Sequence, residues 1–542
     1  MRYLFIFCIC FLSFPLAAES MPDHYIFQAM KDEMQRTKED LRLPGQPDPF
    51  FVVYQVTQRY EQTFSSSLGK ANPMLLKKDP DVSLDVYMYV GDEKQNNADF
   101  IYEYTNSGQS RYFTTTGDLP NSYDGIRAAL WKATDSQYKY ILGAYQAKAE
   151  TKKERNIQED EYLFNFSDKA SYVEVIPEFV FFEAENEYQS LVDELSSMFK
   201  EYDFIEHSNV FLHRGQEERY FLDSEGDFYQ YAKLIKKLSL SMIYMTNLGE
   251  RRQDNKRIEL PYHEPIDKEK LKEEVKKFLE EAQKKVEAKA EKYPYIGPVL
   301  FKPEVSAWIL RNHLYKLDDG KARFDRDGVF FRGSLSAKKG MKVISPLFDV
   351  YDKPMLREYK GKSLFFRPLD DEGIKPEELK LVEKGKLITL PTSRNLTKGQ
   401  EKSNGHAFFM GEGLPRARVS NLFYSPRKPL TEKKLEKELL KKCKKLGLEY
   451  CYIISSMDGY NEKIYTKDGR KEKVRQRNWE PIADSELRNI KAVGGDMDVW
   501  GQIIAPSIII EEVEIPPAQT ILDVHYVTKP FVGVEKQEES SK

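Results

Sequence analysis

The residues able to do chemistry in this chain are few. Seven histidines are present: His24, His207, His213, His263, His313, His406 and His525. No two stand four apart, the spacing that sets two imidazoles on one helix face around zinc. His263-Glu264 opens like a zinc-protease motif, but Pro265 follows and no second histidine comes four or five residues on, so it reads as a loop feature. The chain has no Gly-x-Ser-x-Gly elbow, no Walker loop, no dinucleotide fingerprint and no CxxC pair.

His406 is the strongest polar candidate left. It follows the turn pair Asn404-Gly405, which puts it on a loop over a sheet. Arg394 and Arg416 flank it in sequence. Guanidinium forks suit carboxylates, so Arg394, Asn404, His406 and Arg416 form the candidate site for a peptide carboxylate. The competing reading makes Ser403 to His406 a shaped turn and gives both arginines ordinary ion pairs. Asp370, Asp371 and Glu372 read as a solvated corner, not as a catalytic pair. Glu304 and His313 stand nine positions apart, on opposite faces of a helix, and cannot share one ion. No metal-ligand set emerges.

The elements that must position these residues follow from periodicity. Ile26, Met30, Met34 and Leu41 mark a helix over 24–41, ended by Pro44 and Pro47. Segments 50–57, 83–90, 99–104 and 111–115 alternate and are rich in Val, Tyr, Phe and Thr. They predict an antiparallel sheet with one wet face. A long helix is expected over 123–153, then a helix over 187–202 and strands over 208–212 and 218–223. In 266–292, Leu271, Val275, Leu279, Ala282 and Val286 form an apolar stripe on a Lys/Glu background, a solvated helix packed by one face. Beyond it, short apolar runs alternate with Gly, Asp and Pro turns, which points to a mainly antiparallel β domain. One helix interrupts it, with Thr431 at its start, Leu435, Leu439 and Cys443 inward, and Gly447 at its left-handed end.

The fold class is thus α+β. An N-terminal α/β domain over 21–293, with an antiparallel or mixed sheet and long helices, precedes a C-terminal β-rich domain over 294–534 and a polar tail at 535–542. At 542 residues the chain holds more than one core. Its 83 basic and 87 acidic side chains leave a net charge of -4, with no basic footprint for nucleic acid. Arg2, the apolar run 3–16, and small residues at Ala18 and Ser20 are the pattern of a secretory signal peptide over 1–20, which predicts an extracytoplasmic protein. No later segment is apolar enough to span a membrane. Two cysteines remain after the leader, Cys443 and Cys451, either a pair formed in an oxidising compartment or two small core residues.

The second half carries a resemblance. Pro368 to Ile374 followed by Leu381 to Leu387 resembles the "DDEG … LIENGxL" signature of the TldD/PmbA family (peptidase U62, "modulator of DNA gyrase"). Thr392-Ser393-Arg394, Ser403 to His406, Pro415-Arg416 with Ser420-Asn421, 487–495 and 505–512 follow in the family's order. Active members of that family bind a metal through a His-Glu-x-x-x-His helix and a late cysteine. By the same match Lys302 stands near the first histidine, Pro303 or Glu304 near the glutamate, and Ser306 or Ala307 near the second histidine. The late cysteine has no counterpart in 494–500. The resemblance therefore implies a PmbA-like subunit without metal or other cofactor. It would shape a peptide-binding chamber as a homodimer or beside a TldD-like metal-binding partner. The alternatives are a peptidase with a non-standard site, involving zinc and perhaps His406, and a scaffold unconnected with proteolysis.

Overall fold

The computed structural model describes residues 20–72, 79–102, 114–117, 119–157, 170–181, 187–317, 322–331, 333, 335–396, 402–409 and 414–518. The leader apart from Ser20, most of the expected strand over 111–115, and the polar tail lie outside the described residues.

The two-residue period of a strand organises the first sheet. In Pro49–Ser67 (β1), Val52, Tyr54 and Val56 face the helices Tyr25–Asp40 (α1) and Tyr123–Arg155 (α2). Phe51 and Val53 face the other way. They join Tyr87 and Tyr89 of Asp81–Val90 (β2), Phe221 of Ile205–Asp223 (β3) and Tyr229 and Tyr231 of Phe228–Met245 (β4). Leu369 of the second domain closes over that face. The expectation of one wet face fails here. Residues 51–58 are buried without a break, because helices cover one side and the second domain the other.

The sheet runs Thr114–Gly117, β2, β1, β3, β4, with Arg251–Glu259 (β5) and Ser171–Val173 on the outer edge of β4. β3 is one strand where the sequence suggests two. Arg214 and Gln216 lie buried between its apolar ends, and Arg214 donates to Gln62 Oε1 at 3.3 Å and to the Val180 carbonyl at 3.0 Å. The far half of the sheet packs under Glu187–Ser197 (α3) and Lys268–Glu287 (α4), whose Leu271, Val275, Leu279, Ala282 and Val286 are buried as the stripe requires. Asp267 caps α4 by accepting the Lys270 N–H at 3.0 Å.

The second domain is built from Tyr295–Phe301 (β6), Pro303–Leu314 (α5), Phe348–Asp352 (β7), Leu422–Pro426 (β8), Glu432–Lys445 (α6), Tyr450–Ile454 (β9) and Ile508–Ile515 (β10), with shorter strands between them. A seven-stranded sheet holds β6 between β9, parallel, and β10, antiparallel. A six-stranded sheet holds β7 beside β8. Val299 and Phe301 point into the core these sheets share with α5, while Leu300 points outward under α6. Thr431 stands at the start of α6, but its side chain makes no capping bond. Gly447 takes the expected positive φ of 70°. The domains interlock, since Arg323–Asp325 of the second pairs with Phe100–Ile101 of the first. Among the described residues no helix is long and apolar enough to cross a membrane.

Cys443 on α6 and Cys451 on β9 are both fully buried and joined by a disulfide, so the pair is bonded and part of the core at once. A loop closed over a separation of eight residues is worth about 2–3 kcal/mol in the chain-entropy account. Reduction, or a double Cys443→Ala/Cys451→Ala change, is expected to lower unfolding stability by about that much. Urea denaturation of both forms checks it.

Candidate functional site

The acidic run at 370–372 is not a solvated corner. Asp370, Asp371 and Glu372 are 0 %, 1 % and 0 % exposed, pressed against the tyrosine-rich face of the first sheet. Sequence reasoning missed this because the partners come from the other domain. Tyr87 donates its hydroxyl to the Asp371 carbonyl. Gln55 Nε2 donates to Asp371 Oδ1 at 2.6 Å, and Tyr89 donates to Glu372 Oε1 at 2.8 Å. Backbone N–H groups supply the rest. Glu372 and Ile374 donate to Asp370 Oδ1, Ala407 to Asp370 Oδ2, Phe409 to Asp371 Oδ2 and Arg394 to Glu372 Oε2. Burial, with mutual repulsion, pushes the Asp370 carboxyl above its ordinary range. Burial does the same to Glu372.

Gly373 turns the chain at a φ of 83°. A Cβ there would lie 2.6 Å from Asp223 Oδ2 and 2.9 Å from Asp227 Oδ2, so only glycine lets this turn settle on the β3–β4 hairpin. In that hairpin Asp223, Glu225 and Asp227 bring one oxygen each to within 4.8 Å of one another. Arg394 supplies their positive charge. Fully buried, it reaches Glu225 Oε2 at 2.5 Å and Asp227 Oδ2 at 3.4 Å, and stacks over Phe51. Burial and the neighbouring Asp227 charge raise the Asp223 carboxyl, so this pair holds a proton more readily than free carboxyls do.

Asn404 and His406 belong to the same buried assembly. Asn404 Oδ1 accepts the Thr392 N–H at 2.8 Å, and its amide donates to the Leu390 carbonyl at 3.0 Å. The His406 ring faces acceptors on both sides: the Asn404 carbonyl at 2.9 Å from Nδ1, and Asp352 Oδ2 at 3.4 Å from Nε2, an ion pair more than a formed hydrogen bond. Burial alone would lower this imidazole. Asp352, with the Asn404 carbonyl and Asp370, outweighs that, so the imidazole pKa is raised. A ring whose two nitrogens both face acceptors inside the protein aims no lone pair at a space where a metal could sit. Asp352 in turn accepts the Ser420 hydroxyl. The carboxylate stands between serine and histidine, so histidine cannot take the serine proton and no nucleophilic triad forms. Arg416 lies on a two-stranded ribbon opposite Phe408, half-exposed. The structure thus joins Arg394, Asn404 and His406 through one interior network and places Arg416 at its edge.

A cavity of about 180 Å³ opens beside this network, against α5. Its walls are Arg311 and Tyr315 from the end of α5, Phe365, Phe408, Arg418, Val419, Ser420 and Gln502. Arg311 stacks on Tyr315 at 4.5 Å and Trp500 at 5.5 Å. Helical phase could have marked Arg311, two positions past the buried Ile309 and outside its stripe. Phe365 and Arg418 carry no such signal. The described lining offers no imidazole, thiolate or carboxylate, and so does not fit zinc. The aligned positions fit it no better. Lys302 pairs with Glu432, Ser306 donates to the Pro506 carbonyl, and Ala307 is buried. Glu304 is exposed on one face of α5. His313 is buried on the other, between Asp484 at 3.1 Å and the Val343 carbonyl at 2.8 Å.

Residues 295–516 match the family described as the PmbA/TldA metallopeptidase C-terminal domain. No curated protein matches the chain. The fold is similar to that of a protein described as a modulator of DNA gyrase from Thermotoga maritima, at 14% identity over 90% of this chain and 100% of that one, TM-score 0.56. A protein of the same description from Bacteroides thetaiotaomicron gives 14%, 91%, 99% and 0.58. TldE from Thermococcus kodakarensis gives 14%, 90%, 100% and 0.54. The α+β architecture is shared along nearly the whole chain.

Two outcomes follow from the buried charges. Arg394→Met strands Glu225 and Asp227 and is expected to cost about 3–5 kcal/mol in urea unfolding, with part recovered by adding Glu225→Gln. Asp370, Glu372, Asp223 and His406 all have folded pKa values above their unfolded ones. Their contribution is whole below the unfolded pKa, about 4 for carboxyls and about 6.5 for imidazole, and is lost as pH rises through the folded values. The part of the melting temperature owed to these groups should therefore fall as pH rises from about 4 through about 8, past the folded Glu372 and Asp370 values of about 7 and about 8. Glu372→Gln should flatten the slope, since its amide can donate to the Tyr89 oxygen while its carbonyl accepts the Arg394 N–H.

Proposed function

We propose that this chain, which is of the TldD/PmbA type, is an exported subunit that binds peptides and leaves metal-dependent hydrolysis to another chain. The observation that carries the reading is the cavity against α5. In the family resemblance the metal motif lies on this helix, yet here the walls are two arginines, aromatic rings, a serine and a glutamine. Such walls hold and orient. Guanidinium groups take a carboxylate or polarise a carbonyl, and aromatic faces cover apolar side chains. None of these side chains deprotonates water at neutral pH without a metal or a strong neighbouring base.

The assembly is either a homodimer or a pair with a TldD-like, metal-binding partner. The fold shared with TldE supports the second arrangement. Export is supported by the apolar run at 3–16 and by the Cys443–Cys451 disulfide, a bond that persists in oxidising compartments.

Metal analysis and peptidase assays of the purified mature chain test this reading. It is expected to contain less than a tenth of an equivalent of zinc, to cleave no peptide alone, and to capture a metal-containing partner from its native extracytoplasmic fraction. Stoichiometric zinc that leaves together with peptidase activity on chelation would overturn it.

A further inference from the structure

The tyrosine-rich face of the first sheet does not end where the second domain covers it. Along β4 the residues on this face run Tyr229, Tyr231, Lys233. Opposite them on β3 stand Phe221, Arg219 and Glu217. The first of these positions are buried under 366–372, and Lys233 emerges from beneath. There the two domains part and enclose a cavity of about 390 Å³. Its floor is Arg219, Tyr231 and Lys233, and its roof is the segment Ser363 to Arg367 of the second domain.

The charges in this cleft do not balance. Glu217 lies directly across from Lys233 in register, but its carboxylate is taken by Arg59 at 2.8 Å and by Arg219. Glu174 is taken by Arg357 at 2.6 Å. Arg367 donates to the Tyr231 hydroxyl at 3.0 Å and stacks over Phe365, but its nearest carboxylate, Asp371 at 3.7 Å, already accepts from Gln55 and the Phe409 N–H. Its Nε is buried without a hydrogen-bond partner. Among the described residues Lys233 has no carboxylate within ion-pair distance, and Glu358 sits exposed at the rim. Desolvation by the cleft walls lowers the Lys233 ammonium even though the side chain reaches the surface, a cost that a bound anion would relieve. His263, which opens like a protease motif in sequence, is a wall of this cleft instead.

We propose that the interdomain cleft is a recognition site for an organic carboxylate, with Lys233 as its counter-ion and Arg367 beside it. The apolar walls choose the ligand class. Leu234, Leu364, Phe365 and Phe366 line a space too large for a bare phosphate and suited to a carboxylate carried on an apolar body. A peptide meets both demands, through its chain end or an acidic side chain. The proposal deepens the peptide-binding reading and rests on it for the ligand class. Phe365 walls both this cleft and the α5 cavity, so a peptide anchored here lies next to the proposed site.

The test is calorimetric titration of the full mature chain with four probes. They are N-acetyl-Ala-Leu-Phe with a free C-terminus, the same peptide as its C-terminal amide, N-acetyl-Ala-Asp-Phe amide, and inorganic phosphate. The free acid or the aspartyl peptide is expected to bind at least about tenfold more tightly than the neutral amide, more weakly as salt rises. Which of the two binds separates a chain-end site from a side-chain site. Lys233→Gln should abolish the preference and Lys233→Arg should keep it, both with unchanged melting temperature, as expected for an exposed side chain. Equal binding of acid and amide, an unaffected Lys233→Gln variant, or phosphate competing as well as the peptide acid would each overturn the proposal. Zinc content and peptidase activity report on the metal-free reading alone, so the two ideas fail separately.

Discussion

The structure depends on a buried electrostatic seam between its two domains. Three consecutive acids, Asp370 to Glu372, are removed from water and held by Tyr87, Tyr89, Gln55 and a set of backbone N–H groups. Desolvating a carboxylate costs several kcal/mol unless donors replace its water, and here nearly every oxygen has one. The arrangement is demanding, because a one-residue slip in β1 or β2 would turn the tyrosines and the glutamine to the helix side and strand the acids. The seam thus fixes the docking of one domain on the other more sharply than apolar contact alone could. Hydrophobic contacts tolerate repacking, and buried charges do not.

The same seam organises everything near it. Glu372 accepts the Arg394 N–H, whose side chain answers the hairpin acids of the first domain. Asp370 accepts the Ala407 N–H and so holds the Asn404–His406 turn. Where it ends on one side, Phe408, Ser420 and Arg418 wall the α5 cavity. Where it ends on the other, Tyr231 and Arg367 wall the interdomain cleft. Both hollows are therefore edges of one rigid interface, and their arginines are set by packing, not by flexible loops. A recognition surface built that way loses little entropy on binding.

Much of the fold was legible in the sequence because it rests on local period. The helices over 24–41, 123–153 and 266–292 lie within a few residues of α1, α2 and α4. That Glu304 and His313 take opposite faces of α5 was also legible, though not which of them is buried. What could not be read depends on distant partners. Asp371 and Glu372 meet Gln55 and Tyr89 across 316 and 283 positions of chain, and nothing local distinguishes such acids from wet ones. The continuity of β3 failed for a like reason. Arg214 and Gln216 look like a turn until Gln62 and the Val180 carbonyl are brought beside them. Of the candidate site, sequence order found the segments that converge, but not that Arg394 and His406 face inward, nor that Arg311 and Arg418 wall one hollow and Lys233 and Arg367 the other.

That inward turn decides how the chain's ionic residues divide their work. A side chain whose charge is answered by close partners inside the protein stabilises, and one whose charge is not so answered recognises. Arg394 reaches two carboxylates and covers an aromatic ring, and His406 has an acceptor at each nitrogen. Removing either unbalances a buried network, so its loss registers first as stability. Lys233 sits at the margin of the same sheet face, with its cross-strand acid committed elsewhere. Glu217 and Glu259 act on its charge only from beyond ion-pair distance, and solvent is thinned by the second domain above it. The step from Tyr231 to Lys233 along one strand is thus where the physical role of this surface changes, from holding two domains together to leaving a charge for something that neither domain supplies.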